Sequence, residues 1–132
     1  MKFLFTSLCG LIFLLFSTTT EAQVKLSFNE PPSTPSLFQP GLISTGFAER
    51  DFALSPDETE LFYTMQTPLA YFQTIIHMKK DAKGNWSKPE VAAFAGVFTD
   101  LEPAFSADGK RLYFASNRPI TGDKPKDFDI WY

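Results

Sequence analysis

Apolar residues in this chain fall in short β-favouring bursts separated by polar, turn-forming clusters. In residues 100–119 a short run centred on Ala104 and Phe105 leads into Ala107-Asp108-Gly109, a turn signal. Leu112-Tyr113-Phe114 then makes a second burst, and Asn117-Arg118-Pro119 stops it. The pattern predicts strand, tight turn, strand, loop. The same pattern occurs once before. Residues 49–65 align with residues 100–116 at a constant offset of 51 without a gap. Ala53/Ala104, Ser55/Ser106, Asp57/Asp108 and Leu61/Leu112 are identical, and Leu54/Phe105, Phe62/Tyr113 and Tyr63/Phe114 keep their character. A strand-built repeat of about 40 to 50 residues is the signature of a β-propeller blade.

Read in order, residues 51–55 and 59–65 are the first two strands of the earlier copy, joined by a turn in which Pro56 presets φ. Ser55 and Asp57 are placed to bond nearby backbone N–H groups. Residues 66–73 form a loop, residues 74–79 a third strand and residues 81–85 a polar hairpin turn. A fourth strand is expected from Trp86 to near Ala92, followed by a crossover over residues 94–99. The later copy has two strands, a loop over residues 117–126 and a third strand over residues 127–132. The expected class is therefore all-β: four-stranded antiparallel propeller blades, of which about one and a half are present. Residues 49–99 are the first blade and residues 100–132 an incomplete second one. An N-terminal part of a longer protein is the expectation, since one and a half blades leave sheet faces and strand edges open.

Composition narrows the picture. The 132 residues are 44% hydrophobic and 16% aromatic, which suits one packed domain. A net charge of −3 with scattered Lys and Arg argues against a nucleic-acid partner. Lys2, the apolar run of residues 8–16 and Thr20-Glu21-Ala22 before Gln23 read as a secretory signal over residues 1–22. That run is short for a permanent membrane span, so none is expected after cleavage, and the product is expected in a periplasm or outside the cell. Cys9, the sole cysteine, lies within the signal, so the mature chain has no thiol for a disulfide, a zinc site or nucleophilic catalysis. Residues 23–48 form a Pro- and Ser-rich leader with at most one strand, near residues 24–28, and an entry segment.

The later copy, with Glu102-Pro103-Ala104-Phe105-Ser106-Ala107-Asp108-Gly109, then Leu112-Tyr113-Phe114-Ala115-Ser116-Asn117-Arg118-Pro119 and Asp127-Phe128-Asp129-Ile130-Trp131-Tyr132, closely resembles the WD-like propeller repeat of the TolB type. Asp81 to Pro89 looks like the turn and fourth strand of that repeat, and the earlier copy fits more loosely. Ala107 stands where the family favours Pro, and Glu58 where it favours Gly. The resemblance implies an exported, mainly bacterial propeller that serves as a binding module of the cell envelope or as a domain attached to a peptidase or glycan-active enzyme. It is specific for fold and silent on activity.

In such a meander the tight turns share one face and the long loops the opposite one. Binding residues concentrate on loops held by a scaffold, so the long-loop face is the candidate ligand face. The inner strands start there, with Glu49-Arg50-Asp51 in one copy and Asp100-Leu101-Glu102 in the other, so acids recur at matched positions. Two uses are open: polar residues keeping a channel wet, or an acidic mouth that takes calcium or basic and hydroxyl-rich ligand groups. Asn117 and Arg118 complete the candidate set; Arg118 either forks onto a ligand carboxylate or ties to a neighbouring acid. No catalytic set is visible. His77, the only histidine, has no serine-elbow partner, and Ser106-Ala107-Asp108-Gly109 misplaces the glycine of a sialidase Asp-box. Trp86 and Trp131 read as packing residues. Three readings follow: a non-catalytic module binding an envelope protein or glycan, the propeller part of a hydrolase or lyase with catalytic residues beyond Tyr132, or a truncated product.

Overall fold

The computed structural model describes residues 24–26 and 33–132. The signal read over residues 1–22 and the leader stretch 27–32 lie outside the described residues. The described chain is all-β, in two antiparallel sheets. The first holds β1 (Ala48–Leu54), β2 (Glu60–Gln66), β3 (Gln73–Lys79) and β4 (Glu90–Val91) in that order. The second holds β5 (Asp100–Phe105), β6 (Leu112–Ser116) and β7 (Asp129–Trp131). A single 3₁₀ turn, Pro68–Ala70, interrupts the loop between β2 and β3. Among the described residues no helix is long and apolar enough to cross a membrane.

The strand limits follow local chemistry. The expected fourth strand shrinks to Glu90–Val91, because Pro89 precedes it and cannot donate to a ladder. Trp86 makes only isolated bridges, to Val24 and to Lys80. The third strand of the later copy begins at Asp129 rather than Asp127. Among the described residues, the segment before the first sheet forms no strand of its own, and the expected strand near residues 24–28 lies partly outside them. It folds into a turn in which Leu42, Ile43 and Ser44 all donate backbone N–H groups to the Gln39 carbonyl.

The repeat is reproduced in hydrogen bonds. Ser55 N–H donates to the Glu60 carbonyl (2.8 Å) and Ser106 N–H to that of Arg111 (2.9 Å). The Ser55 hydroxyl donates to Asp57 and the Ser106 hydroxyl to Asp108, each at 2.6 Å. Each serine oxygen in turn accepts the backbone N–H opening the next strand, from Glu60 at 2.9 Å and from Arg111 at 3.0 Å. Ser55 and Ser106 therefore each close a hairpin from both sides. Glu58 and Gly109 both sit in the left-handed region, at φ 57° and 69°. The two turns lie side by side: a Cβ on Gly109 would stand 3.1 Å from Pro56.

A second repeated feature carries no glycine. Asp51 (φ 56°) and Glu102 (φ 58°) both adopt left-handed backbone, and the pairing shifts register there, between Arg50 and Ala53 and between Leu101 and Ala104. Both inner strands are thus bulged at matched positions, a device that bends a strand and increases its twist.

Alternation sorts the side chains into faces. On one face of the first sheet Leu61, Tyr63, Ile76 and Met78 pack with Ile43, Trp86 and the partly buried Val24, Leu26, Phe38 and Leu42. The leader covers this face, and Trp86 N–H donates to the Val24 carbonyl (2.9 Å). The opposite face presents Phe62, Ile75 and Ala92 to Phe114, Phe105, Leu112 and Trp131 of the second sheet. Glu102 N–H, freed by its bulge, donates across this interface to the buried Thr64 hydroxyl (2.9 Å). The order is leader, first sheet, second sheet.

Candidate functional site

The predicted site residues separate into two groups with different surroundings. The first is open to solvent at the start of β1. Arg50 lies between two carboxylates, its Nε 3.2 Å from Asp51 Oδ2 and its Nη2 3.7 Å from Glu102 Oε1. Nη2 also donates to the Gln73 side-chain oxygen at 3.2 Å. Asp51 belongs to the first sheet and Glu102 to the second, so one guanidinium spans the two matched bulges. The positive charge between these two acids is supplied by the protein itself. Among the described residues no group of three or more His, Cys, Asp or Glu side chains is placed to hold a metal ion.

Glu49 is bound locally, accepting hydrogen bonds from the Thr45 N–H (3.1 Å) and the Thr45 hydroxyl. It bears on the buried phenol of Tyr63, whose pKa is pushed up to about 12 by burial first and by the Glu49 charge second. Tyr63 therefore stays neutral and packs as a core aromatic.

The second group is buried. Asp100, the counterpart of Glu49, is fully enclosed, and Arg118 Nη2 donates to its Oδ1 at 2.6 Å. The same guanidinium donates to the Phe94 carbonyl (2.9 Å) and, through Nε, to the Ser116 hydroxyl (2.9 Å). Its flat face lies over Phe114 and Trp131, at 4.8 and 5.7 Å. Nε and Nη2 are both engaged by protein, so Arg118 acts as a tie between crossover, strand and loop. Asn117 does related work: its side-chain oxygen accepts the Thr99 N–H (3.0 Å) and its carbonyl the Lys126 N–H (2.7 Å). Asp100, Asn117 and Arg118 thus fix the base of the long loop, while Glu49, Arg50, Asp51 and Glu102 lie at its rim.

The same rim holds a feature that the residue pattern did not single out. Between β2 and β3 the loop carries two consecutive non-glycine residues in left-handed backbone, Leu69 (φ 61°) and Ala70 (φ 56°). Thr67 holds the loop closed. Its backbone and hydroxyl both donate to the Phe72 carbonyl (3.0 and 3.1 Å), and its hydroxyl accepts the Phe72 N–H (3.0 Å). The outcome is that Leu69 and Tyr71 point into water, 84% and 83% exposed. Beside them an open cleft of about 320 Å³ is lined by Phe47, Gln66, Pro68 and Leu69. The sequence signal was present in Leu69 and Tyr71, apolar residues inside a loop.

His77 stacks on Phe62, ring centroids 4.3 Å apart, with Nε2 3.7 Å from Glu60. Burial, with help from the Lys79 charge, lowers its pKa against the opposing charges of Glu60 and Glu90. Among the described residues, its stacking and ion-pair partners are Phe62 and Glu60, neither of them a nucleophile of the serine or cysteine type.

The fold defines an all-β protein of two stacked antiparallel sheets that share a hairpin repeat. Comparison with protein-family models, with curated proteins and with solved structures gives no match.

Proposed function

We propose that this chain belongs to an exported β-propeller of TolB type, a non-catalytic module that binds a protein or glycan of the cell envelope through its long-loop face. The observation that carries the reading is the strained loop holding Leu69 and Tyr71 in solvent beside the Phe47 cleft. Left-handed backbone at two successive non-glycine residues costs on the order of 1 kcal/mol each, and such strain concentrates at recognition sites. The matched turns, the matched bulges and the like-facing stacking of the sheets support the propeller part. The half-exposed Arg50 and Glu102 add a polar rim to an apolar centre, the usual anatomy of a protein-binding patch. Leu69 next to Tyr71 favours a protein over a glycan, because a sugar face gains little from an aliphatic side chain. No cofactor is needed, and added calcium is expected to leave the melting temperature unchanged.

The test places a photo-reactive benzophenone residue at Tyr71 in the exported protein. The expected result is a cross-link to a defined envelope protein that disappears in Leu69→Asp. A cross-link to glycan alone would move the reading to a glycan-binding module. No cross-link to either ends it.

A further inference from the structure

The loop that presents Leu69 and Tyr71 is closed by an exchange of acceptors. In an ordinary antiparallel pair at Thr67 and Phe72, each backbone N–H would donate to the other residue's carbonyl. One half of that pair is present, with Thr67 N–H donating to the Phe72 carbonyl (3.0 Å). The other half is replaced. Phe72 N–H donates to the Thr67 hydroxyl (3.0 Å), and the hydroxyl donates to the Phe72 carbonyl (3.1 Å). A side chain has taken the place of its own carbonyl in the ladder. The Thr67 carbonyl is thereby released to accept Ala70 N–H (3.0 Å), the bond that winds the Pro68–Ala70 turn. Within that turn Leu69 and Ala70 hold left-handed backbone. The entry is fixed as well: Thr67 is extended (φ −70°, ψ 160°), the conformation that a following proline favours.

We propose that Thr67 is the positioning residue of this surface, its hydroxyl selecting between two forms of one loop. With the hydroxyl in place the turn is wound, and Leu69 and Tyr71 stand in water, 84% and 83% exposed. Without it, Phe72 N–H takes back the carbonyl of residue 67, Ala70 N–H loses that acceptor, and the left-handed pair relaxes. Leu69 then turns into the cleft of about 320 Å³ that it borders with Phe47 and Pro68, because nothing opposes burial of its side chain. One hydroxyl therefore keeps both anchors presented and the cleft open before a partner arrives. A surface formed in advance spares the partner the cost of ordering it. The purpose of this selection rests on the envelope-binding reading; the selection itself is a property of the chain alone.

The test reads each part separately. Scalar couplings across hydrogen bonds, measured by NMR on the labelled, exported full chain, show which N–H donates to the carbonyl of residue 67. The unaltered chain is expected to give the Ala70 coupling. In Thr67→Val, which keeps the branched shape and removes the hydroxyl, that coupling is expected to vanish and one from Phe72 to replace it. Thr67→Ser, which keeps the hydroxyl, is expected to restore the Ala70 coupling. With the benzophenone residue at Tyr71, cross-link yield is expected to fall roughly five-fold in Thr67→Val and to recover in Thr67→Ser. An Ala70 coupling that persists in Thr67→Val overturns the inference, and so does the loss of both couplings, which is simple loosening. The expected exchange of couplings with an unchanged yield overturns the positioning role and leaves envelope binding intact. No cross-link from the unaltered chain ends the envelope-binding reading, and the couplings then decide the selection by themselves.

Discussion

The two sheets are built from one repeat, yet they obtain their order from different sources. The first is sandwiched between the leader and its neighbour, so apolar burial on both faces fixes it. Among the described residues the second has one covered face, and at its base an ion pair in the interior, Asp100 with Arg118, takes over part of the task. The first sheet has Glu49 and Thr67 at those positions, a surface carboxylate and a loop-closing hydroxyl. A repeat thus sets strand order and turn geometry, while the neighbours on each face decide what else is required.

Breaking the ion pair should give the largest contrast. Arg118→Ala leaves Asp100 charged and enclosed, and chemical denaturation should register a loss of about 3–5 kcal/mol. The counterpart change Thr67→Ala removes a loop closure, with an expected loss of about 1 kcal/mol. Equal losses would mean that Asp100 is hydrated rather than enclosed.

Next come the matched isoleucines. Ile75→Ala should cost about 2–5 kcal/mol by opening a cavity between the sheets. Ile130→Ala should stay within about 0.5 kcal/mol in the isolated chain. A comparable cost at both positions would show the second sheet's outward face already covered.

The turns offer a finer probe. Glu58→Gly relieves left-handed strain and should stabilise by about 0.5–1 kcal/mol. Gly109→Ala places a Cβ 3.1 Å from Pro56 in the same backbone region and should destabilise by about 1 kcal/mol or more. The sign of each change in melting temperature is the readout.

The smallest effect is protonic. His77 has a folded pKa below its ordinary value, so the unfolded chain binds the proton more readily. Stability should fall as pH drops through about 6.5 towards the lower folded value, and hold steady above. His77→Gln should flatten that part of the melting profile.

What was legible in the sequence was whatever local chemistry repeats. Ser55, Asp57, Ser106 and Asp108 announce their hairpins because the side chains that mark a turn also bond it. The bulges were not legible, because Asp51 and Glu102 occupy a conformation that glycine would have flagged. Asp100 and Glu49 look alike in the alignment; only the fold brings Arg118 and Phe94 around one and Thr45 beside the other. The fourth strand was overextended from Trp86, whose burial comes from the leader rather than from a ladder. The packing of the leader on this sheet is hidden from the sequence for a related reason. Val24 and Leu26 are too short a segment to carry a periodic signal, and the Trp86 contact lies far along the chain.

That contact has a kinetic consequence. The first sheet's outer layer closes only when Val24 meets Trp86 and Ile43 reaches the Leu61, Tyr63 and Met78 row. The β1–β2 and β2–β3 hairpins join near neighbours and form early, whereas the leader must close a loop spanning the whole first sheet. The segment that precedes this sheet in the chain is therefore the last part of it to find its place. During synthesis Val24 and Leu26 stay uncommitted until Trp86 has followed them, so the outer face of the sheet remains open for that interval.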